Sequence, residues 1–188
     1  TLASIIAAII KPDSGKMYFE GKPYASKDNL TVNKNGICMI LQEKGTFDGL
    51  SVAKNIFIAK EELFKTKSGL ISIKKMNCAA ADVLKSIHAD HINPILPMAA
   101  LNFEDRKLVE LARAMHEQPK VLIIDETTTA MSRNGRDILW NIIEKMKETG
   151  KSVIFISHDI NELIETCDRL SILRDGVNVD TLEKKDFS

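Results

Sequence analysis

The 188-residue sequence is poor in aromatic side chains, at 5%, and has no surplus of charge, with 26 basic residues against 26 acidic ones. A neutral total offers no electrostatic footprint for a polyanion, so nucleic acid is not expected as a partner. Long apolar runs are missing as well. A membrane-spanning helix needs about 20 uninterrupted apolar residues, and the longest candidate, Leu2 to Ile10, is well short of that and contains Ser4, so it reads as a buried helix. No signal-peptide pattern is present. Cysteine is scarce: Cys38, Cys78 and Cys167 are odd in number, widely spaced and without a CxxC pair, which suits reduced thiols in a cytoplasmic compartment. What remains, 44% hydrophobic and 28% charged, describes one soluble globular domain. Thr1 stands inside an apolar helical pattern with no cap before it, so a preceding segment is expected.

Thr1 to Ile10 has helical spacing and is ended by Lys11-Pro12-Asp13-Ser14-Gly15. Lys16 to Glu20, Gly21 and Pro23-Tyr24 predict a short hairpin, with proline confining the return strand to an edge. Ile37 to Leu41 is a continuous apolar run of strand length ending at Gln42. Helical periodicity then takes over, in Val52 to Leu63, in Met76 to His88 and from about Glu104. From Val121 the pattern alternates: strand Val121 to Ile124, helix Gly135 to Lys147, strand Val153 to Ile156, helix Asn161 to Thr166, strand Leu170 to Leu173 and a turn at Asp175-Gly176. Strands interleaved with helices in this way build βαβ units and a parallel sheet, whose ligands sit beyond the carboxyl ends of the strands.

Three apolar strands end in residues able to do chemistry. Val121 to Ile124 is followed by Asp125 and Glu126, the Walker B arrangement, in which Asp reaches a magnesium ion and Glu orients or deprotonates the attacking water. Phe155-Ile156-Ser157 leads to His158, whose imidazole can donate to a phosphate oxygen. Gln42 closes the third. His88 and His91 lack a third ligand for zinc, and the lysines at 65, 67, 74 and 75 read as solvated surface.

In this order the motifs resemble the nucleotide-binding domain of an ATP-binding cassette (ABC) transporter, and most closely the sugar-type importers whose ATPase carries two such domains in tandem. Thr1-Leu2 resembles the end of Walker A, Gln42-Glu43 the Q-loop and Leu50 to Phe57 the segment after it. Val109 to Ala114 resembles the helix after the signature motif, Val121 to Glu126 Walker B, Ile156 to Asp159 the switch histidine, and Cys167 to Gly176 the closing strand. The resemblance implies an α/β fold: a RecA-like P-loop NTPase parallel sheet (1–43 and 118–188) with an inserted α-helical subdomain (44–117) that carries the Q-loop and signature. It implies ATP and Mg²⁺ as cofactors, with Glu126, His158 and Gln42 catalytic, Thr1, Gln42, Asp125, Asn102 and Glu104 at the nucleotide, and Asp125, Gln42 and Thr1 at the metal. It further implies a second nucleotide-binding domain and transmembrane permease subunits as partners, a solute-binding protein indirectly, and a peripheral position on the cytoplasmic face of the membrane.

The same comparison exposes three departures. No complete phosphate loop is present: Gly15-Lys16-Met17 and Gly150-Lys151-Ser152 both lead into strands, so the loop is expected upstream of Thr1. Leu101 to Lys107 stands in place of Leu-Ser-Gly-Gly-Gln, with Asn102 and Asp105 suited to cap a helix. Glu104 there would be repelled by roughly 3 kcal/mol per unit of phosphate charge at about 5 Å and an effective dielectric near 20, which predicts an impaired or repurposed composite site. Finally Thr127 and Ser132 replace the proline after the glutamate and an aspartate at the end of that loop. Together these leave a catalytically degenerate partner half as the rival reading.

Overall fold

The computed structural model describes residues 2–24, 32–33, 35–41 and 45–187. Thr1, Gln42 and Glu43 therefore lie outside the described residues, and with them two of the expected nucleotide contacts, Thr1 and Gln42.

Among the described residues three parallel strands form the centre: β3 (Ile37–Ile40), β4 (Val121–Asp125) and β5 (Ser152–Ile156), in the order β3-β4-β5. Ile37 pairs with Val121 and Ile40 with Ile124, while Val121 pairs with Ser152 and Asp125 with Ile156. Leu122, Ile123 and Ile124 are fully buried, as an apolar run covered on both faces should be. On one face lie the helices α2 (Val52–Ile56), α3 (Ile73–Ser86), α4 (Phe103–His116) and α5 (Arg133–Glu148), whose apolar residues join Cys38, Ile40, Leu122 and Ile124 in one core. Trp140 of α5 stands edge-on to Phe155 of β5, with ring centroids 5.3 Å apart. On the other face Ala3 and Ala7 pack with Val32, Ile37 and Ile123.

Several boundaries differ from the sequence pattern. The first helix, α1, covers only Leu2–Ile6; Ala3 within it and Ala7 just after it are buried, while Leu2, Ile9 and Ile10 face outward. Ala8 takes a left-handed φ of 52°, which ends the helix earlier than the apolar spacing suggests. The expected helix from Val52 to Leu63 stops at Ile56 and gives way to a 3₁₀ turn at Glu61–Phe64. Ala59, at φ 59°, makes the break, and it brings Phe57 and Phe64 together at 4.7 Å inside the core. Asn55 holds the preceding loop: its Oδ1 accepts from Phe47 N at 2.8 Å, and its Nδ2 donates to Phe47 O and Ser51 O. Helix α3 ends at Ser86, so His88 and His91 fall beyond it, and His91 Nε2 instead meets Asp105 Oδ1 at 2.8 Å.

The strand expected at Leu170 to Leu173 does form, as β6 (Arg169–Arg174), but it does not extend the parallel sheet among the described residues. It pairs antiparallel with β7 (Val177–Glu183). Asp175 at φ 52° and Gly176 at φ 78° make a two-residue turn with both central residues left-handed, which matches strand twist and folds the chain straight back. The first hairpin, β1 (Met17–Phe19) with β2 (Lys22–Tyr24), uses Glu20 and Gly21 in the same way. Helix α6 (Ile160–Thr166) links β5 to β6.

One face of α4 is charged and buried. Lys107 Nζ donates to Leu41 O at 2.6 Å and lies 3.2 Å from Glu110 Oε2. Gly45 N donates to Glu110 Oε1 at 3.0 Å, and Arg113 Nη2 donates to Gly45 O at 2.8 Å. Burial raises the Glu110 carboxyl above its ordinary range, against the pull of Lys107 and the Gly45 amide, and burial also lowers the Arg113 guanidinium. Cys38, behind them, is pushed up to about 12 by burial, with Glu117 adding to the effect, so it is an inert thiol.

His116, at the end of α4, sits edge-on to Phe57 at 4.9 Å, and burial followed by the nearby Lys60 charge lowers its pKa below 6.5. The unfolded chain then binds the proton more readily, so the contribution of His116 to stability is present above pH 6.5 and is lost as the pH falls from there through the lower pKa of the folded state. We expect H116F to show a shallower decline in stability between about pH 7.5 and 5.5 than the parent chain. Urea unfolding at the two pH values measures the difference, and equal slopes would remove His116 as the source.

Candidate functional site

The parallel register puts the carboxyl ends of β4 and β5 side by side, and the candidate site is what emerges there. Asp125 is the last residue of β4 and is paired with Ile156. Glu126 follows at a φ of 46°, a left-handed backbone that costs a non-glycine residue energy and that an active site tolerates where its neighbours enforce it. Here the enforcement is visible, because Glu126 N still donates to Ile156 O at 3.0 Å, which continues the ladder one residue past the strand. This turn releases the Glu126 side chain from the sheet. Its Oε1 stands 4.0 Å from His158 Nδ1, with 32% of the glutamate and 65% of the histidine side chain exposed.

The two loops are tied beneath this pair by a residue that the motif reading passed over. Glu162 Oε2 in the first turn of α6 accepts from Thr128 Oγ1 at 2.9 Å and from Ser157 Oγ at 3.0 Å. Thr128 is buried and lies two residues after Glu126, while Ser157 directly precedes His158. Asp159 caps α6, accepting from Asn161 N and Glu162 N, and its own N–H donates to Ser157 Oγ at 3.0 Å. The Asp159-x-x-Glu162 spacing does carry a sequence signal, that of a capping box. The structure sends Glu162 across to the neighbouring loop instead.

Of the other expected site residues, Asn102 is the N-cap of α4, its Oδ1 accepting from Asp105 N at 2.8 Å. Glu104, in the first turn of the same helix, turns its carboxylate onto Ser132, the residue that caps α5. Thr1 and Gln42 are outside the described residues, although the flanks of Gln42 are held by the Lys107, Glu110 and Arg113 face of α4.

Two half-buried carboxylates and an exposed imidazole at the carboxyl ends of adjoining strands are oxygen and nitrogen donors of the kind that suit a hydrated Mg²⁺ and its phosphates, since Mg²⁺ is usually held through one or two carboxylates and keeps several waters. The residues present therefore fit a magnesium-bound polyphosphate. A cavity of about 590 Å³ lies at the other end of the strands, among Phe19, Tyr24, Gly36 and Lys120, with the Lys120 to Glu20 ion pair at its wall. Among the described residues no helix is long and apolar enough to cross a membrane.

Known proteins resemble the chain in sequence and in fold. The family model described as ABC transporter matches residues 1–129. The chain is 32% identical over 187 residues to a ribose import ATP-binding protein of Clostridium perfringens, a match covering 100% of this chain and 37% of that protein. It is 34% identical over 188 residues to a putative ribose/galactose/methyl galactoside import ATP-binding protein of Burkholderia lata, covering 100% and 35%. The chain thus spans little more than a third of the length of these curated relatives. Among solved structures, a dimeric ATP-binding cassette in a post-hydrolysis state, bound to ADP and Pi, superposes with a TM-score of 0.80 at 22% identity, covering 99% of this chain and 80% of that one. A nucleotide-free ATP-binding cassette superposes at 0.79 and 21% identity, covering 97% and 74%. At these identities the likeness is one of fold.

Proposed function

The chain belongs to the ABC transporter family, and from that premise we propose that it is the ATP-binding and hydrolysing part of an importer subunit for a sugar or similar small polar solute. The observation that carries the reading is the juxtaposition of Asp125, Glu126 and His158 at the adjoining ends of β4 and β5. Asp125 would hold Mg²⁺ through water. Glu126 would orient the attacking water and accept its proton, and His158 would donate to a phosphate oxygen. The metal ion, when bound, neutralises charge that develops on the phosphates. Gln42 and Thr1 complete the metal and nucleotide contacts in this reading, and Asn102 would meet a nucleotide held by an opposing cassette. The partners proposed are that second cassette, transmembrane permease subunits and, through them, a solute-binding protein, with the subunit peripheral on the cytoplasmic face. The relatives named for ribose and galactose import support the sugar class.

A second reading, a catalytically degenerate half that pairs with an active cassette, draws support from the glutamate at position 104. The coding sequence upstream of Thr1, together with nucleotide binding by the complete subunit, decides between them. A strand, a glycine-rich loop and Gly-Lys directly before Thr1, with Mg²⁺-dependent binding of a fluorescent ATP analogue, is the expected result. Absence of that loop from the gene, or no binding by the complete subunit, overturns the hydrolytic reading.

A further inference from the structure

Glu104 and Ser132 are the two places where acidic chemistry differs most from the resembled pattern, and in the structure they are bonded to each other. Ser132 N donates to Glu104 Oε2 at 2.5 Å, and Ser132 Oγ donates to Glu104 Oε1 at 2.9 Å. The same hydroxyl accepts from Gly135 N at 3.2 Å, so Ser132 caps α5 while Glu104 caps Ser132. Gly135 leaves the room: a Cβ there would stand 2.8 Å from Glu104 Cδ and 2.9 Å from its Oε1. A carboxylate accepting from backbone and hydroxyl donors at a helix N-terminus is a charge-assisted arrangement, favoured further by the positive end of the helix dipole. Serine suits position 132 because its hydroxyl donates and accepts at once. A carboxylate cap would accept only, and would set two negative groups face to face.

We propose that Glu104 is a positioning residue rather than a nucleotide contact. Its carboxylate straps the first turn of α4 to the start of α5 and so fixes the segment that leads away from Asp125 and Glu126. The charge expected to repel a phosphate is spent on donors inside the chain. Glu104 and Ser132 are therefore one device, and each accounts for the other. The catalytic part of this proposal rests on the hydrolytic reading above, whereas the strap itself does not.

Amide hydrogen exchange at Ser132 and Gly135, measured on the chain and on its E104Q, S132D and E104Q/S132D variants, tests the strap. E104Q should speed exchange at Ser132 by about tenfold, the loss of one charge-assisted bond. S132D should speed it more, and the double variant should exchange more slowly than S132D alone, because the carboxylate repulsion is gone. If E104Q fails to fold, G135A, which displaces the Glu104 side chain, serves in its place. Unchanged exchange in E104Q, or S132D equally damaging in both backgrounds, overturns the strap. In the complete subunit, E104Q should lower kcat for ATP by about tenfold with KM within about twofold. Faster Ser132 exchange with unchanged kcat overturns the positioning role. A parent subunit with no turnover at all would instead fail the hydrolytic reading and leave the exchange result standing.

Discussion

Glu126→Gln in the complete subunit is expected to lower ATP turnover by about 10²- to 10⁴-fold, the range over which a positioned general base acts, while nucleotide affinity stays within about twofold. The substitution keeps the shape and removes the carboxylate charge, and with it the capacity to take a proton. Backbone strain is held constant as well: Glu126 sits at φ 46° because its N–H is bonded to Ile156 O, and glutamine must adopt that same left-handed conformation. Binding should survive because Asp125, in register with Ile156, is untouched. Phosphate release and equilibrium binding of ATP with Mg²⁺ are the paired measurements. Turnover that persists undiminished removes Glu126 from the chemistry.

Lys107→Met should cost about 3–5 kcal/mol of stability, because it removes one partner of a buried ion pair and leaves the other charge behind. The side chains of Lys107 and Glu110 are 3% and 2% exposed. Without the ammonium, Glu110 keeps the Gly45 amide and the more distant Arg113 charge, and Leu41 O loses its lysine donor. Burial already drives the Glu110 carboxyl upward, so the variant should take up a proton at this site as the pH falls and recover part of its loss. Urea denaturation at neutral pH should move to lower midpoint by about 1–2 M. The double variant Lys107→Met/Glu110→Met should regain part of the stability, since neither charge of the pair is left without the other and Arg113 keeps Glu117 as a counter-charge. A single variant within about 0.5 kcal/mol of the parent would show the pair to be dispensable.

Much of this was legible in the sequence, and the parts that were not share a cause. The runs at Ile37, Val121 and Val153 are apolar on both faces, and such strands announce themselves without knowledge of their partners. Asp125 and Glu126 follow such a run directly and His158 follows one after Ser157, which is why they stand out as candidates. β7 carries no such signal: Val-Asn-Val-Asp-Thr-Leu-Glu is half polar and exposed, and only its pairing with β6 makes it a strand. The break at Ala59 was hidden because apolar periodicity continues through it, and tertiary contact between Phe57 and Phe64 decides the matter. Nothing in the sequence marks Lys107, Glu110 and Arg113 as a buried face, since their partners at Leu41 and Gly45 are far away in the chain. Glu104 is the same case in sharper form. Its charge was plain, but the direction in which it points depends on Ser132, a residue on another element.

The pairing of Ile37 with Val121 spans the entire helical segment, whereas β4 meets β5 across a single helix. Closing the longer loop is entropically the costlier step, since that cost rises with the logarithm of loop length. Contacts among α2, α3 and α4 and the β4–α5–β5 unit can form before it, and the docking of β3 comes last. Refolding of this chain should accordingly be slower than its helix content suggests, with the rate set by non-local strand pairing. Changes at Ile37 or Ile40, which join late, should then act mainly by hastening unfolding and leave the folding rate nearly untouched.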